Sequence, residues 1–211
     1  MAEVEGSKDL ISVLWSGADI LRSKMDANEY KDYLLGIVFY KYLSDTFLIK
    51  VYDLIYDEKP KSLKVALDAY KEALEDESAE ELKEQIKSEC HYLIEPQLTY
   101  TCFADAARNN AFNRELLQKA FNNIEQSDPL FVDLFTDIDL YSNRLGNGDQ
   151  KQSDTISSLV KEIDKADLLN SDAEILGNAY EYLIGQFASE TGKKAGEFYT
   201  PQAVSKIITR I

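Results

Sequence analysis

Residues 26–56 constrain the fold more than any other stretch, because they predict one long helix that is apolar on more than one face. The stretch opens with Asp26-x-x-Glu29, an acidic form of the capping box that starts helices. Roughly 30 residues of helix would extend on the order of 45 Å. The apolar positions are Tyr30, Leu34, Ile37, Val38, Tyr40, Leu43, Phe47, Val51, Leu54 and Ile55. A helix that is apolar nearly all round is usually central to its domain, so we predict that it is the hub of a helical bundle.

Helical periodicity predicts further helices on both sides of this hub. The 211 residues have room for one or two domains, and Gly 9 and Pro 4 are too few for a turn-rich sandwich or barrel. A capping box, Ser78-x-x-Glu81, starts one of the helices. The predicted spans are about 7–24, 62–74, 78–88, 114–125 and 155–163. We place a domain boundary near residues 165–170.

Residues 90–103 depart from this pattern. They are rich in aromatic and β-branched residues around Pro96, which predicts an irregular aromatic segment with a short strand or two. Cys90, His91 and Cys102 lack a fourth ligand and the usual spacing of a zinc site, so we assign no metal. Two cysteines form no disulfide framework and fit a reducing cytoplasm. Neither a signal peptide nor a membrane-spanning run is visible.

Charge is distributed unevenly along the chain. The formal net charge is −15, whereas residues 192–211 carry four basic side chains against one acidic, so the remainder carries −18. An acidic body suits solvent or a protein partner better than phosphates. The acidic cluster Glu75, Asp76, Glu77, Glu80 and Glu81 is interpreted as a solvated face, since no histidine accompanies it.

Residues 191–211 combine a basic glycine loop with the start of a helix. Gly192-Lys193-Lys194-Ala195-Gly196 leads to Thr200-Pro201, an N-cap followed by proline at the first helical position. Helical apolar spacing continues to Ile211. The N-terminus of such a helix attracts a carboxylate or phosphate. From spacing alone, a purely structural cap is the simpler interpretation.

Two runs near opposite ends of the chain add a resemblance to a known family. One is residues 26–36 followed by Lys41-Tyr42-Leu43-Ser44-Asp45. The other is residues 176–184, then Phe187-Ala188, then Gly196-Glu197-Phe198-Tyr199-Thr200-Pro201. Together they resemble the modification subunits of type I restriction-modification systems, which are DNA adenine-N6 methyltransferases.

The resemblance implies a mainly α fold in two parts. Residues 1–165 would form the family's helical N-terminal domain, including the short irregular or β aromatic segment. Residues 166–211 would form the first helices of an α/β S-adenosylmethionine-dependent methyltransferase domain. In that family the Glu-Phe-Tyr-Thr-Pro segment lines the cofactor pocket, which assigns S-adenosylmethionine binding to Glu197, Phe198, Tyr199, Thr200, Pro201 and Gln202. The last position is usually arginine in the family.

The resemblance also implies catalytic motifs and partner subunits that are not found in these residues. The family's glycine-rich cofactor loop and its Asn/Asp-Pro-Pro-aromatic catalytic tetrapeptide do not occur in these residues; Asp128-Pro129-Leu130-Phe131 has leucine for the second proline and predicts a helix start instead. We therefore expect an N-terminal fragment without catalytic residues, inactive alone. The implied partners are a specificity subunit, a second modification subunit, a nuclease subunit and double-stranded DNA in the assembled complex. The N-terminal domain would serve assembly and clamping around DNA.

Two alternatives remain open at this point. The chain could be a non-enzymatic helical module that binds a specificity-type subunit, with the Thr200-Pro201 helix purely structural. It could also be a nucleotide-binding enzyme that uses its Gly-Lys-Lys loop, although that loop lacks the spacing of a Walker sequence.

Overall fold

The computed structural model describes residues 2–167 and the single positions 177 and 208. Within the described residues there are seven α-helices, two short 3₁₀-helices and no strand, which confirms the mainly α prediction. The α-helices are α1 (Ala2–Arg22), α2 (Ala27–Tyr56), α3 (Leu63–Ala73), α4 (Ala79–Cys90), α5 (Tyr100–Arg108), α6 (Arg114–Glu125) and α7 (Asp149–Ile163). The 3₁₀-helices span Pro96–Leu98 and Pro129–Phe131. No helix in this part of the chain is both long and apolar enough to cross a membrane.

The predicted hub is confirmed, since α2 packs against α1, α3, α4, α5 and α7. Its apolar side chains are buried along most of its length, from Tyr30 to Val51. Each large side chain that is fully buried contributes about 1.5–3 kcal/mol of transfer free energy. The Glu29 carboxylate accepts a hydrogen bond from the Asp26 backbone N–H (3.3 Å), as a capping box requires. The helix ends at Asp57, whose φ of 54° is left-handed.

An aromatic cluster joins the far half of the chain to the hub. The Tyr40 ring lies 5.5 Å from Phe121 and 6.1 Å from each of Phe103 and Phe135. Phe121 and Phe135 stack at 4.2 Å with 7° between their ring planes. Such pairs add about 0.5–1.5 kcal/mol each beyond area burial. The cluster therefore holds α5, α6 and the segment after α6 on one side of α2.

The expected strand within residues 90–103 is wrong, although the segment is irregular as predicted. Residues 92–95 have no regular secondary structure, and the chain then enters a 3₁₀-helix and α5. Tyrosine side chains, rather than a partner strand, satisfy its backbone carbonyls. Tyr40 Oη donates to the Leu98 carbonyl (2.6 Å), and Tyr70 Oη donates to the Ile94 carbonyl (3.1 Å). Because buried carbonyls must find donors, these phenols make it possible to bury a segment that has no partner strand among the described residues.

Two predictions about helix starts need correction. α4 starts directly after Ser78 as predicted, but the Ser78 side chain makes no capping bond, because its hydroxyl donates to Asp76 Oδ1 (2.8 Å) instead. α7 begins at Asp149 rather than near residue 155. Its first turn is polar, so no apolar period marked it, yet Gln152 is buried and donates to the Tyr141 carbonyl (3.1 Å). By contrast, the predicted start at Asp128-Pro129 is confirmed, with Asp128 Oδ1 accepting from Leu130 N–H (2.9 Å).

Candidate functional site

The residues predicted to bind the cofactor, Glu197 to Gln202, lie outside the described residues. So does the helix expected after Thr200-Pro201, apart from residue 208. The proposed division at residues 165/166 stays a prediction. Within the described part, the best-defined concentration of buried polar chemistry lies between α2, α5 and α7.

This polar cluster centres on an ion pair inside the hub helix. Lys41 and Asp45 are one helical turn apart, and Lys41 Nζ lies 2.5 Å from Asp45 Oδ2. Their side chains are only 4% and 2% exposed. Lys41 Nζ also lies 5.2 Å from the centre of the Tyr100 ring, which adds a cation–π contact. Both charges are therefore compensated inside the protein rather than by solvent.

Hydrogen bonds extend the cluster to two further helices. The hydroxyl oxygen of Ser44, beside Asp45 on α2, accepts the backbone N–H of Tyr100 at 2.7 Å. That N–H is one of the unpaired donors at the start of α5. Tyr100 Oη in turn donates to the Val160 carbonyl in α7 at 2.9 Å. One buried chain of contacts thus connects the hub to α5 and to α7, the last described helix.

Burial and charge make the Asp45 carboxyl easier to protonate than an ordinary aspartate, and a pKa of about 6 still leaves it ionised at neutral pH, as the ion pair requires. Burial raises the pKa of the Asp45 carboxyl from 3.8 to about 6, and the nearby charges of Asp164 and Asp167 add to that rise. Attraction and the hydrogen bond from Lys41 lower the pKa but do not cancel the effect of burial. Asp45 Oδ1 is buried without a hydrogen-bond partner in the described part of the chain. Both side chains are enclosed, and the pair contacts α5 through the Tyr100 ring.

Comparison with known proteins decides the family. Residues 10–163 match the family described as HsdM N-terminal domain, which is most of the chain. The chain belongs to the HsdM N-terminal domain family. Residues 171–211 match a second family, described as N-6 DNA Methylase.

Several known proteins are similar over nearly the whole chain. The methylase subunit of the type I restriction enzyme MpnII from Mycoplasma pneumoniae is 29% identical over 94% of this chain and 38% of its own length. The MjaIX methylase subunit from Methanocaldococcus jannaschii is 27% identical over 94% of this chain and 34% of its own. The crystal structure of a type I restriction-modification methyltransferase subunit from Streptococcus thermophilus is 50% identical and has a TM-score of 0.89, covering 97% of this chain and 43% of that one. The chain spans about a third of the length of the curated relatives it matches.

The polar cluster of this HsdM N-terminal domain was not predicted, although the sequence run that contains it was. Lys41-Tyr42-Leu43-Ser44-Asp45 served only to indicate the family. The i, i+4 spacing of Lys41 and Asp45 is a signal for a helical ion pair. Nothing local distinguishes a buried pair from an exposed one, because burial comes from α5 and α7, which are distant in sequence.

Other side chains singled out in the sequence are placed plainly by the structure. The acidic cluster Glu75, Asp76, Glu77, Glu80 and Glu81 is exposed, which confirms the solvated face. Cys90 and Cys102 are free thiols, and burial raises the pKa of Cys90. His91 is exposed, with Nδ1 3.8 Å from Asp128 Oδ2. No three potential metal ligands come together among the described residues.

Proposed function

We propose that this chain forms the N-terminal part of the modification subunit of a type I restriction-modification methyltransferase. The whole enzyme would transfer a methyl group from S-adenosylmethionine to adenine N6 in DNA. The observation that supports this most directly is the order of the two matches, HsdM N-terminal domain at residues 10–163 and N-6 DNA Methylase at residues 171–211.

The predicted cofactor element is residues Glu197 to Gln202. The free N–H groups at the start of the predicted Thr200-Pro201 helix suit the carboxylate of S-adenosylmethionine. The aromatic rings of Phe198 and Tyr199 suit its sulfonium and adenine. When bound, the cofactor supplies the methyl group, and these side chains would hold and orient it. Recognition of the target base and proton removal would belong to the family's Asn/Asp-Pro-Pro-aromatic tetrapeptide, which does not occur in residues 1–211.

The helical N-terminal part would serve assembly. Its body is acidic, which favours contact with proteins over direct contact with phosphates. We propose that it engages a specificity subunit and a second modification subunit and helps them close around double-stranded DNA. A nuclease subunit would carry restriction.

The test uses the full-length protein co-purified with the specificity-type subunit of its own system. Transfer of tritiated methyl groups from S-adenosylmethionine to DNA is measured, together with cofactor affinity by equilibrium dialysis. We expect Tyr199→Ala to weaken cofactor binding by about tenfold or more, which corresponds to about 1.4 kcal/mol. The control is Tyr56→Ala, since Tyr56 is exposed at the end of α2.

Three outcomes decide between the hypotheses. The proposal is supported if the wild-type complex methylates adenine and if Tyr199→Ala, but not Tyr56→Ala, weakens cofactor binding. No methyl transfer by the wild-type complex would leave the non-enzymatic interaction module as the better interpretation. Residues 1–211 alone should transfer no methyl groups and bind the cofactor weakly, because the glycine-rich loop and the catalytic tetrapeptide do not occur in them; methyl transfer by these residues would contradict that expectation.

A further inference from the structure

The segment after α6 presents aliphatic side chains to solvent in a way that the proposed chemistry does not explain. Leu130 is 86% exposed, Val132 60% and Leu134 37%. These three residues lie within five consecutive positions, which we call the apolar loop (residues 130–134). Isolated exposed aliphatic residues are ordinary, but a concentrated set commonly marks a protein contact.

The apolar loop is anchored to the core by its aromatic neighbours. Phe131 packs edge-on against Tyr92 with 5.8 Å between ring centres, and Phe135 is buried in the aromatic cluster. The Phe135 backbone N–H donates to Glu125 Oε1 at 2.7 Å. Asp133 turns the chain with a φ of 63°. Because Phe131 and Phe135 pack against other aromatic side chains on either side of residues 132–134, the loop is held in shape before any partner arrives, which lowers the entropy cost of binding.

A groove adjoins the apolar loop. It has a volume of about 310 Å³ and is lined by Tyr92, Leu93, Asn123 and Ser127 together with one cation, Lys87, and one carboxylate, Glu95. Tyr92 is the residue on which Phe131 packs, and Ser127 precedes Asp128 at the start of the loop's 3₁₀-helix. Asn123 Oδ1 is buried and has no hydrogen-bond partner within the described residues.

The charge around the apolar loop selects among partners. Residues 125–141 contain Glu125, Asp128, Asp133, Asp137 and Asp139 and no lysine or arginine. This sign repels nucleic acid and anionic membranes and attracts basic protein surfaces. A symmetric dimer through the loop would place the same acidic side chains opposite one another, because each copy contributes the same patch. The loop therefore disfavours a second copy of this chain as its occupant.

We infer that the apolar loop and its groove dock into an apolar pocket with a lysine- and arginine-bearing rim on the specificity-type subunit. The inference rests on the assembly role proposed above and names the surface that performs it. The aliphatic side chains would supply the buried centre of the contact, and Asp128 and Asp133 would face the basic rim. Burial of the centre governs the dissociation rate, whereas the rim charges govern the association rate and its dependence on salt.

The test measures affinity of the full-length protein for the specificity-type subunit of its own system. The loop variant is Leu130→Ser with Val132→Ser. The matched control is Val65→Ser with Leu116→Ser, which removes two aliphatic side chains that are 40% and 36% exposed on α3 and α6. We expect Kd to rise about tenfold or more for the loop variant and less than about twofold for the control. Asp133→Asn, which tolerates the same left-handed backbone, should reduce the salt dependence of the association rate.

Each outcome has a distinct meaning. An unchanged Kd for the loop variant, with normal binding by the wild-type protein, overturns the inference and leaves the proposed function standing. No binding by the wild-type protein overturns both. Sedimentation of the free protein is measured in parallel, and a dimer that the loop variant dissociates would mean that a second copy occupies the surface, which also overturns the inference. If circular dichroism shows that the loop variant does not fold, the inference is tested by Asp133→Asn alone, through the salt dependence of its association rate.

Discussion

The buried Lys41–Asp45 pair allows a sharp test of how this bundle is held together. Asp45→Leu leaves Lys41 with a side chain 4% exposed and no carboxylate beside it. Removing one member of a buried pair typically costs about 3–5 kcal/mol, because the remaining charge is uncompensated. That is a large share of a typical unfolding free energy of about 5–15 kcal/mol. Lys41→Met should cost less at acidic pH, since the abandoned carboxyl can take up a proton.

The double variant Lys41→Met/Asp45→Leu should recover most of this loss. Replacing both charges by apolar groups of similar size removes the desolvation cost together with the attraction, and such replacements are often neutral or stabilising by about 1–4 kcal/mol. We therefore expect a coupling energy of several kcal/mol in the double-mutant cycle. The matched control is Lys64→Met/Asp68→Leu, an i, i+4 pair whose side chains are 57% and 53% exposed. Its coupling should not exceed about 0.5 kcal/mol.

The pH dependence of stability gives an independent check of the same pair. The pKa of Asp45 is about 6 in the folded chain against an ordinary 3.8, so between these values the folded state holds more protons than the unfolded state. Its contribution to stability is therefore complete below about pH 4 and is lost as the pH rises through about 6, by about 3 kcal/mol in total at 1.36 kcal/mol per pKa unit. The difference in stability between wild type and Asp45→Leu isolates this group from the other carboxylates.

Urea unfolding followed by circular dichroism, between pH 4 and pH 8, measures both effects. The wild-type curve should lose stability relative to Asp45→Leu as the pH rises from about 4 to about 6. Lys41→Met should extend that loss to higher pH, because its carboxyl no longer has a cation beside it. A coupling energy as small as that of the exposed control, together with parallel pH curves, would refute the claim that this ion pair is buried and coupled.

The remaining predictions concern single contacts and use the same urea assay. A Cβ on Gly36 would lie 2.0 Å from Ile138 Cδ1, so Gly36→Ala should destabilise the fold by about 1–3 kcal/mol despite the better helix propensity of alanine. The cost should be smaller in an Ile138→Val background, which lacks that Cδ1 atom. Equal costs in both backgrounds would contradict this explanation. Arg114 bonds to Gln152 and Asp149 and lies over the ring of Tyr141, so Arg114→Lys should still cost about 1–3 kcal/mol; a neutral result would show that the fork geometry is unimportant. Tyr100→Phe should cost about 0.5–1.5 kcal/mol through its lost bond to Val160, and no change would remove this link between α5 and α7.

The parts of the fold that could be predicted are those determined by local pattern. The hub helix was predictable because its apolar positions and its Asp26-x-x-Glu29 start are all encoded in adjacent residues. The turn into the 3₁₀-helix at Asp128-Pro129 was predictable for the same reason. The start of α7 was not, because its first turn is polar and gains its partners from the preceding loop. Gln152, for example, is buried only because the Tyr141 carbonyl and Arg114 lie beside it.

The aromatic segment shows why composition can mislead about secondary structure. Tyrosine, threonine and isoleucine favour strands because they fit a pleated, half-buried surface. In residues 91–100 the same side chains fill a helical core instead. Tyr92 Oη donates to the Leu43 carbonyl of α2 at 3.0 Å, and Tyr100 Oη reaches α7. The β propensity of residues 91–100 therefore indicated correctly that their side chains are buried. It indicated the wrong secondary structure, because the elements that they pack against are helices.

The polar cluster fixes the position of α7 relative to the hub helix. The proposed assembly role needs α7 fixed relative to α2, and apolar packing alone allows small slips of register. Ser44 and Tyr100 bond α2 to α5 and α5 to α7 at defined atoms, and the Lys41–Asp45 pair lies beside them. These directional contacts specify one position for the Val160 end of α7, and weakening Tyr100 should loosen that end before it unfolds the bundle.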